Sequence, residues 1–132
     1  MVDADSPRKT DWEEKLASIQ NGFDFIEEKV ACVACVPMSA SESWLLSDAD
    51  AWGAQAAFVV QELKKRPEET WGKRDDPDSG HSHQVFNRVC EGAGRPDNRE
   101  TRVAIAQSID LQRARQACPV SLEPFIADCK SG

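Results

Sequence analysis

The sequence predicts an all-α protein, a four- to five-helix bundle built on a long antiparallel helical hairpin, with short C-terminal helices covering it. Two observations support this fold class. Apolar residues recur at alternating gaps of three and four residues over two long stretches, as in helices with one buried face. No stretch alternates strictly between apolar and polar residues inside turn signals, which is the pattern expected of a half-buried strand.

The first predicted helix begins at Thr10 and is ended by Pro37. Glu13 follows Thr10 at the spacing of a capping box. Gly22 is a poor helix former, but the apolar seam continues in phase beyond it, so we expect a single helix. Residues 1–9 are polar and are expected to form an N-terminal tail. The seam consists of Trp12, Leu16, Ile19, Phe23, Ile26, Val30 and Val33.

The second predicted helix completes the hairpin. Ser39 and Ser47 are each followed by an acidic residue three positions on, so two starting points stay open: one helix, or a short turn and then a longer helix. Pro67 ends this helix and begins a single turn that is expected to bury Trp71. The seam consists of Leu45, Ala49, Trp52, Ala56, Val59 and Leu63.

Residues 72–82 contain glycine, proline, aspartate and serine but no apolar residue, which predicts an exposed loop. A short third helix is expected around Val85, Phe86 and Val89, ending at Gly92. The rest of the chain completes a single helical domain over residues 10–132.

A fourth predicted helix is capped by Asp97 and broken by Pro119. A last helix follows, capped by Ser121. The expected inward face of the fourth helix consists of Val103, Ala106, Ile109, Ala114 and Ala117, and that of the last helix of Leu122, Phe125, Ile126 and Cys129.

The composition restricts the classes of function. A net charge of −7 argues against nonspecific binding to nucleic acid, for which a basic face supplies most of the affinity. The longest apolar stretches, residues 30–38 and 51–60, are too short to span a bilayer, and the first ten residues lack the apolar region of a signal peptide. We expect a soluble protein whose compartment the sequence does not specify.

The Cys32–Cys35 pair forms a C-x-x-C motif and is expected at the C-terminal end of a helix. A redox site of the thioredoxin type needs the opposite helix end, whose dipole lowers the thiol pKa. His81, His83 and Cys90 complete a set of ligands sufficient for a tetrahedral zinc ion, although no second C-x-x-C is present. The alternative is that the cysteines pack as small apolar residues and the histidines are solvated.

A disulfide is a further possibility among Cys90, Cys118 and Cys129, since the last two flank the break at Pro119. The chain has five cysteines, so not all of them can pair within one molecule.

No catalytic constellation is present in the sequence. Both histidines lie in one loop, and neither a nucleophile elbow nor a phosphate-binding, dinucleotide-binding or zinc-protease motif occurs. We therefore expect no enzymatic activity and no cofactor.

Five residues are candidates for contact with a protein partner. Trp44 and Trp71 are not accounted for by the seams, and tryptophan is enriched at binding hot spots. Arg95, Arg99 and Arg102 make the region after residue 94 locally basic, which suits either an acidic partner or pairing with the acidic first half of the chain.

These features predict a non-catalytic helical interaction protein, a small accessory subunit of a larger assembly or a homo-oligomer. One alternative is an acidic inhibitor or immunity-type protein that masks a basic site. Another is a zinc- or redox-linked protein that uses the cysteines and histidines.

Overall fold

A computed structural model of the protein describes residues 1–26 and 32–131, and within these ranges all regular secondary structure is helical. Two 3₁₀ segments, Ala49–Gln55 and Pro67–Glu69, accompany the α-helices. The all-α prediction is confirmed, whereas the long antiparallel hairpin is not, because most helices are short. The α-helices of the described residues are α1 (Lys9–Phe23), α2 (Ser41–Leu45), α3 (Ala56–Glu62), α4 (Ser82–Ala93), α5 (Arg99–Ser108), α6 (Leu111–Ala117) and α7 (Leu122–Ser131).

Helix α1 ends at Phe23, one residue after Gly22, so the expected continuation to Pro37 is wrong over residues 24–26 and 32–37. Glycine loses more conformational entropy in a helix than other residues, which favours an end at this position. The predicted capping box is not formed, since Arg8 occupies the N-cap without a side-chain bond. The seam residues Leu16, Ile19 and Phe23 pack inward as predicted, and Val30 lies outside the described residues.

The second predicted helix is broken into α2, the first 3₁₀ segment and α3. Gly53 has φ 63° and ψ −128°, a conformation that only glycine adopts readily, and it interrupts the helical backbone within the 3₁₀ segment, two residues before that segment ends. The cap is Asp48, whose carboxylate accepts a hydrogen bond from the Asp50 amide, whereas the Ser47 hydroxyl donates to the Trp44 carbonyl. The seam residues Trp52 and Val59 are nevertheless buried.

The N-terminal residues lie along the chain between α1 and α2. The amides of Val2 and Ala4 donate to the carbonyls of Cys35 and Pro37, and Ala4 is buried. The indole of Trp12 donates to the Val36 carbonyl at 2.7 Å. These contacts connect α1 with the segment that leads into α2, and they form a first core cluster of Ala4, Trp12, Ala34, Val36 and Met38.

The main core cluster lies between the first 3₁₀ segment, α3, α4 and α5. The rings of Trp52 and Phe86 meet edge to face with centroids 5.6 Å apart. A third cluster joins α6 to α7 through Ala114, Cys118, Leu122 and Ile126, and Ile109 packs against both clusters. The main cluster consists of Leu46, Trp52, Val59, Val85, Phe86, Val89, Cys90 and Ile105.

The later elements follow the sequence closely, with local corrections. Residues 73–80 form the exposed loop, but His81 and Ser82 are buried and Ser82 begins α4. Helix α4 ends at Ala93, and Gly94 takes a left-handed conformation after it. The predicted break at Pro119 is confirmed.

The fourth predicted helix is divided into α5 and α6 at Ile109 and Asp110. The caps also differ from those predicted. Asn98 rather than Asp97 caps α5, and Asp110 caps α6. In residues 1–26 and 32–131, none of the helices has the length and hydrophobicity that crossing a bilayer requires.

Candidate protein-binding groove

An open groove lined mainly by apolar side chains lies between α2, α5, α6 and the start of α7, and it encloses a volume of about 710 Å³. We call it the apolar groove. Met1 stands at one side, and Ser41, Asp97, Asn98, Arg99 and Arg102 form a polar rim. The apolar lining consists of Trp44, Leu45, Val103, Ala106, Ile109, Leu111, Ala114 and Leu122.

Trp44 is held rigidly in the lining. Its indole nitrogen donates to the Ser121 hydroxyl at 2.9 Å, and its ring stacks on Phe125 with centroids 5.5 Å apart. The Ser121 hydroxyl in turn bonds to the buried carboxylate of Glu68. The Glu68 carboxylate also accepts hydrogen bonds from the backbone amides of Val120 and Ser121, at 2.9 and 2.7 Å. These bonds fix the start of α7. These contacts hold the Trp44 ring in one position in the lining.

One wall of the groove is the outer face of α5 together with α6. Val103 and Leu111 are 44% and 61% exposed, whereas Ile105 is fully buried. The expected inward face of this region is therefore wrong at Val103 and at Ala106, which is also exposed, because α5 packs on the core through Thr101 and Ile105 instead. Because Thr101 and Ile105 face the core, the apolar side chains on the other face of α5 are exposed to solvent along the groove.

The rim of the groove carries both signs of charge. Arg102 is bound to Asp97 at 2.9 Å and to Glu42 at 3.2 Å, and its guanidinium lies 4.6 Å from the centroid of the Phe86 ring. Arg99 is exposed at the first position of α5, and no carboxylate of the described residues forms an ion pair with it. Arg99 is thus the rim cation available to a ligand.

Glu42 lies behind the rim and ties three helices together. Its Oε1 atom is 3.2 Å from both His83 Nδ1 on α4 and Arg102 Nη1 on α5. Burial raises the pKa of Glu42, but hydrogen bonds from its own backbone amide, His83 and Arg102 outweigh burial and hold it below the ordinary value. Burial and the nearby Glu42 charge raise the pKa of Asp3. The sequence suggested only a capping role for Glu42.

The other two predicted partner contacts lie away from the groove. Arg95 stands 5.9 Å from the centroid of the Trp52 ring. Trp71 is 43% exposed, so its expected burial is wrong, and it contacts His81 with centroids 5.2 Å apart. Trp71 lines a separate cavity of about 320 Å³ together with Lys64, Lys65 and Arg88. Of the five predicted contacts, Trp44, Arg99 and Arg102 are therefore brought together.

The predicted zinc ligands are not brought together in the described part of the chain. No group of three or more histidine, cysteine, aspartate or glutamate side chains there has an arrangement that holds a metal ion. His83 is bound to Glu42, and the His81 Nδ1 atom accepts the His83 amide at 3.1 Å. Cys32 and Cys35 lie outside any helix, so the expected position of the C-x-x-C motif at a helix end is wrong.

No disulfide joins any two cysteines of the described residues. The possible pairing among Cys90, Cys118 and Cys129 is not formed, and these residues lie in different environments. Cys90 belongs to the main core cluster and Cys118 to the cluster of α6 and α7, while Cys129 is exposed. Burial raises the pKa of Cys90 to about 11 and raises that of Cys118 further.

Much of the positive charge after residue 94 is used inside the molecule. Arg113 forms ion pairs with Asp48 and Asp50, and Arg115 with Glu123. The Arg113 pairs and the Arg102–Glu42 contact connect α6 and α5 to the acidic first half of the chain, whereas the Arg115–Glu123 pair joins α6 to α7.

Comparison with known proteins does not extend this description. No protein-family model matches the chain, and neither curated proteins nor solved structures give a significant match.

Proposed function

We propose that the protein is a non-catalytic interaction protein, and that it joins a larger assembly by receiving an apolar segment of another polypeptide in the apolar groove. The observation that carries this proposal is the exposure of Val103 and Leu111 beside the fixed Trp44 ring. Contiguous apolar surface rimmed by polar residues is typical of protein-binding sites.

The shape of the groove favours a polypeptide over a small molecule. Sites for small ligands usually bury most of the ligand surface. Here the Leu111 side of the wall is open to solvent. A helix laid in a groove leaves its outer face in water, which suits such an open site.

The polar groups of the rim support a binding role over catalysis. The Ser41 hydroxyl has Glu42 as a neighbour, at 3.5 Å, and the lowered pKa of that carboxylate makes it a weak base. A serine nucleophile needs an effective base within hydrogen-bond reach. Arg102 and Asp97, which are also rim residues, form an ion pair with each other.

Charged substitutions in the groove test the proposal. Val103→Asp and Leu111→Asp each introduce a carboxylate that a bound apolar segment would desolvate. Val60→Asp is the matched control, since Val60 is 69% exposed on α3 and does not line the groove. The measurement is affinity purification from an extract of the source organism, with quantitative mass spectrometry of every retained polypeptide, including untagged copies of this chain.

We expect wild type and Val60→Asp to retain the same polypeptide in equal amounts. Both groove variants are expected to retain at least about tenfold less of it, which corresponds to a loss of about 1.4 kcal/mol or more of binding free energy. Unchanged thermal melting of the variants shows that they are folded. Equal retention by all four proteins contradicts the proposal. The alternative, an acidic inhibitor, predicts instead that retention depends on exposed carboxylates such as Glu13 and Glu14 of α1.

A further inference from the structure

We propose that the segment received by the apolar groove is the end of α1 from a second copy of this chain, with Phe25 and Ile26 against Val103 and Leu111. This inference rests on the proposed function, because it names the occupant of the same groove. The protein would then be a homo-oligomer.

The end of α1 presents an apolar pair to solvent. Phe25 is 87% exposed, the largest exposure of any large apolar side chain in the described residues, and Ile26 is 47% exposed. Neither side chain is therefore buried within a single copy of the chain. Removing this exposed apolar surface from water by docking is favourable, and the gain is larger for Phe25 than for the half-exposed Ile26.

The backbone of this segment is already ordered for binding. The amides of Asp24, Phe25 and Ile26 donate at 3.1–3.2 Å to the carbonyls of Asn21, Gly22 and Phe23. This run of tight turns extends the end of α1 and fixes the direction in which the apolar pair projects. A preformed segment loses less entropy on docking than an unstructured one.

The charges of the two surfaces are complementary. The last turn of α1 carries no basic residue, and Asp24 stands at its C-cap, so the acidic side chain adds to the negative end of the helix dipole. Arg99 stands at the first position of α5, where the dipole is positive. Docking the end of α1 beside Arg99 therefore brings opposite charges together at the rim while the apolar pair enters the groove.

The test is sedimentation equilibrium of the full chain over concentrations up to about 1 mM, which covers weak association. We expect wild type and Val60→Asp to self-associate equally. Phe25→Asp and Val103→Asp are each expected to lower the association constant by about tenfold or more. Thermal melting checks that each variant is folded.

Mixing the two defective variants distinguishes this contact from any other. A mixed pair joins the intact groove of Phe25→Asp to the intact Phe25 of Val103→Asp, so mixing is expected to restore association that neither variant shows alone. A charge exchange gives a second check. Arg99→Glu or Asp24→Arg alone should weaken association by about fivefold, near the upper end for exposed ion pairs, and the double variant should recover it.

Several results overturn the inference. A monomeric wild type does so, as does self-association that Phe25→Asp leaves unchanged or that mixing fails to restore. If wild type is monomeric yet retains a different protein in a groove-dependent way, the second-copy inference is wrong and the proposed function stands. If groove substitutions affect neither self-association nor retention, both are wrong.

Discussion

Replacing Glu42 with glutamine tests the contact that joins α2 to α4 and α5 behind the groove. The wild-type carboxylate accepts hydrogen bonds from His83 and Arg102, each at 3.2 Å, and its side chain is only 11% exposed. Glutamine keeps the size of the side chain but removes its charge. A hydrogen bond to a charged group contributes about 1.5–3 kcal/mol.

We expect Glu42→Gln to lower the free energy of unfolding at pH 7 by about 2 kcal/mol, because Arg102 retains Asp97 and glutamine still accepts one weaker bond. For a chain of this size the melting temperature should fall by roughly 6–10 °C. The pKa of Glu42 is lowered in the folded protein. Its stabilising contribution is therefore present above the ordinary value of 4.5 and lost as the pH falls through the folded value.

Urea unfolding followed by circular dichroism between pH 7 and pH 3 measures this effect. Glu62→Gln is the matched control, since Glu62 binds Arg88 at 2.9 Å with side chains 30% and 24% exposed. A pair of that exposure should contribute below about 1 kcal/mol. The reasoning is refuted if both substitutions have the same effect at pH 7, or if the difference between wild type and Glu42→Gln does not shrink below about pH 4.5.

Two further predictions concern the glycines and the cysteines. Gly22→Ala should raise the free energy of unfolding by about 0.5–1 kcal/mol, because this helical position has open space around it. Gly53→Ala should lower the free energy of unfolding by about 1–2 kcal/mol, since φ is 63° at that position. Urea unfolding measures both, and effects of the same sign would contradict the assigned conformations. Cys129 should react with a thiol reagent at pH 8 in the native protein, whereas Cys90 and Cys118 should react only after unfolding, because burial raises the pKa of both thiols. Peptide mapping by mass spectrometry identifies the labelled sites, and native labelling of Cys118 would contradict its burial.

The helical class and part of the core follow from local periodicity. Trp12, Trp52 and Val59 lie on the predicted seams and are buried. The positions at which one helix ends and the next begins do not follow from this periodicity. A left-handed Gly53 and an α1 that ends after Gly22 depend on the balance between weak local propensity and packing, which a continuous apolar pattern does not reveal.

The sequence predicts only some of the residues that line the groove. Residue type and local charge identify Trp44, Arg99 and Arg102 as candidate contacts, and all three line the groove. The pattern places Val103 on a buried face, because periodicity identifies an apolar stripe but not the elements that cover it. That depends on how Ile105 packs in the main core cluster, a nonlocal contact.

The most direct test of the central claim is site-specific photo-crosslinking. Benzophenone-bearing residues replace Val103 in the groove and, as the control, Val60 on α3. In concentrated protein we expect the probe at position 103 to crosslink to peptides that contain Phe25 and Ile26 of another copy, with few adducts from position 60. Adducts of equal yield from both positions, or none from position 103 with either this chain or an extract of the source organism, would contradict a polypeptide-binding role for the apolar groove.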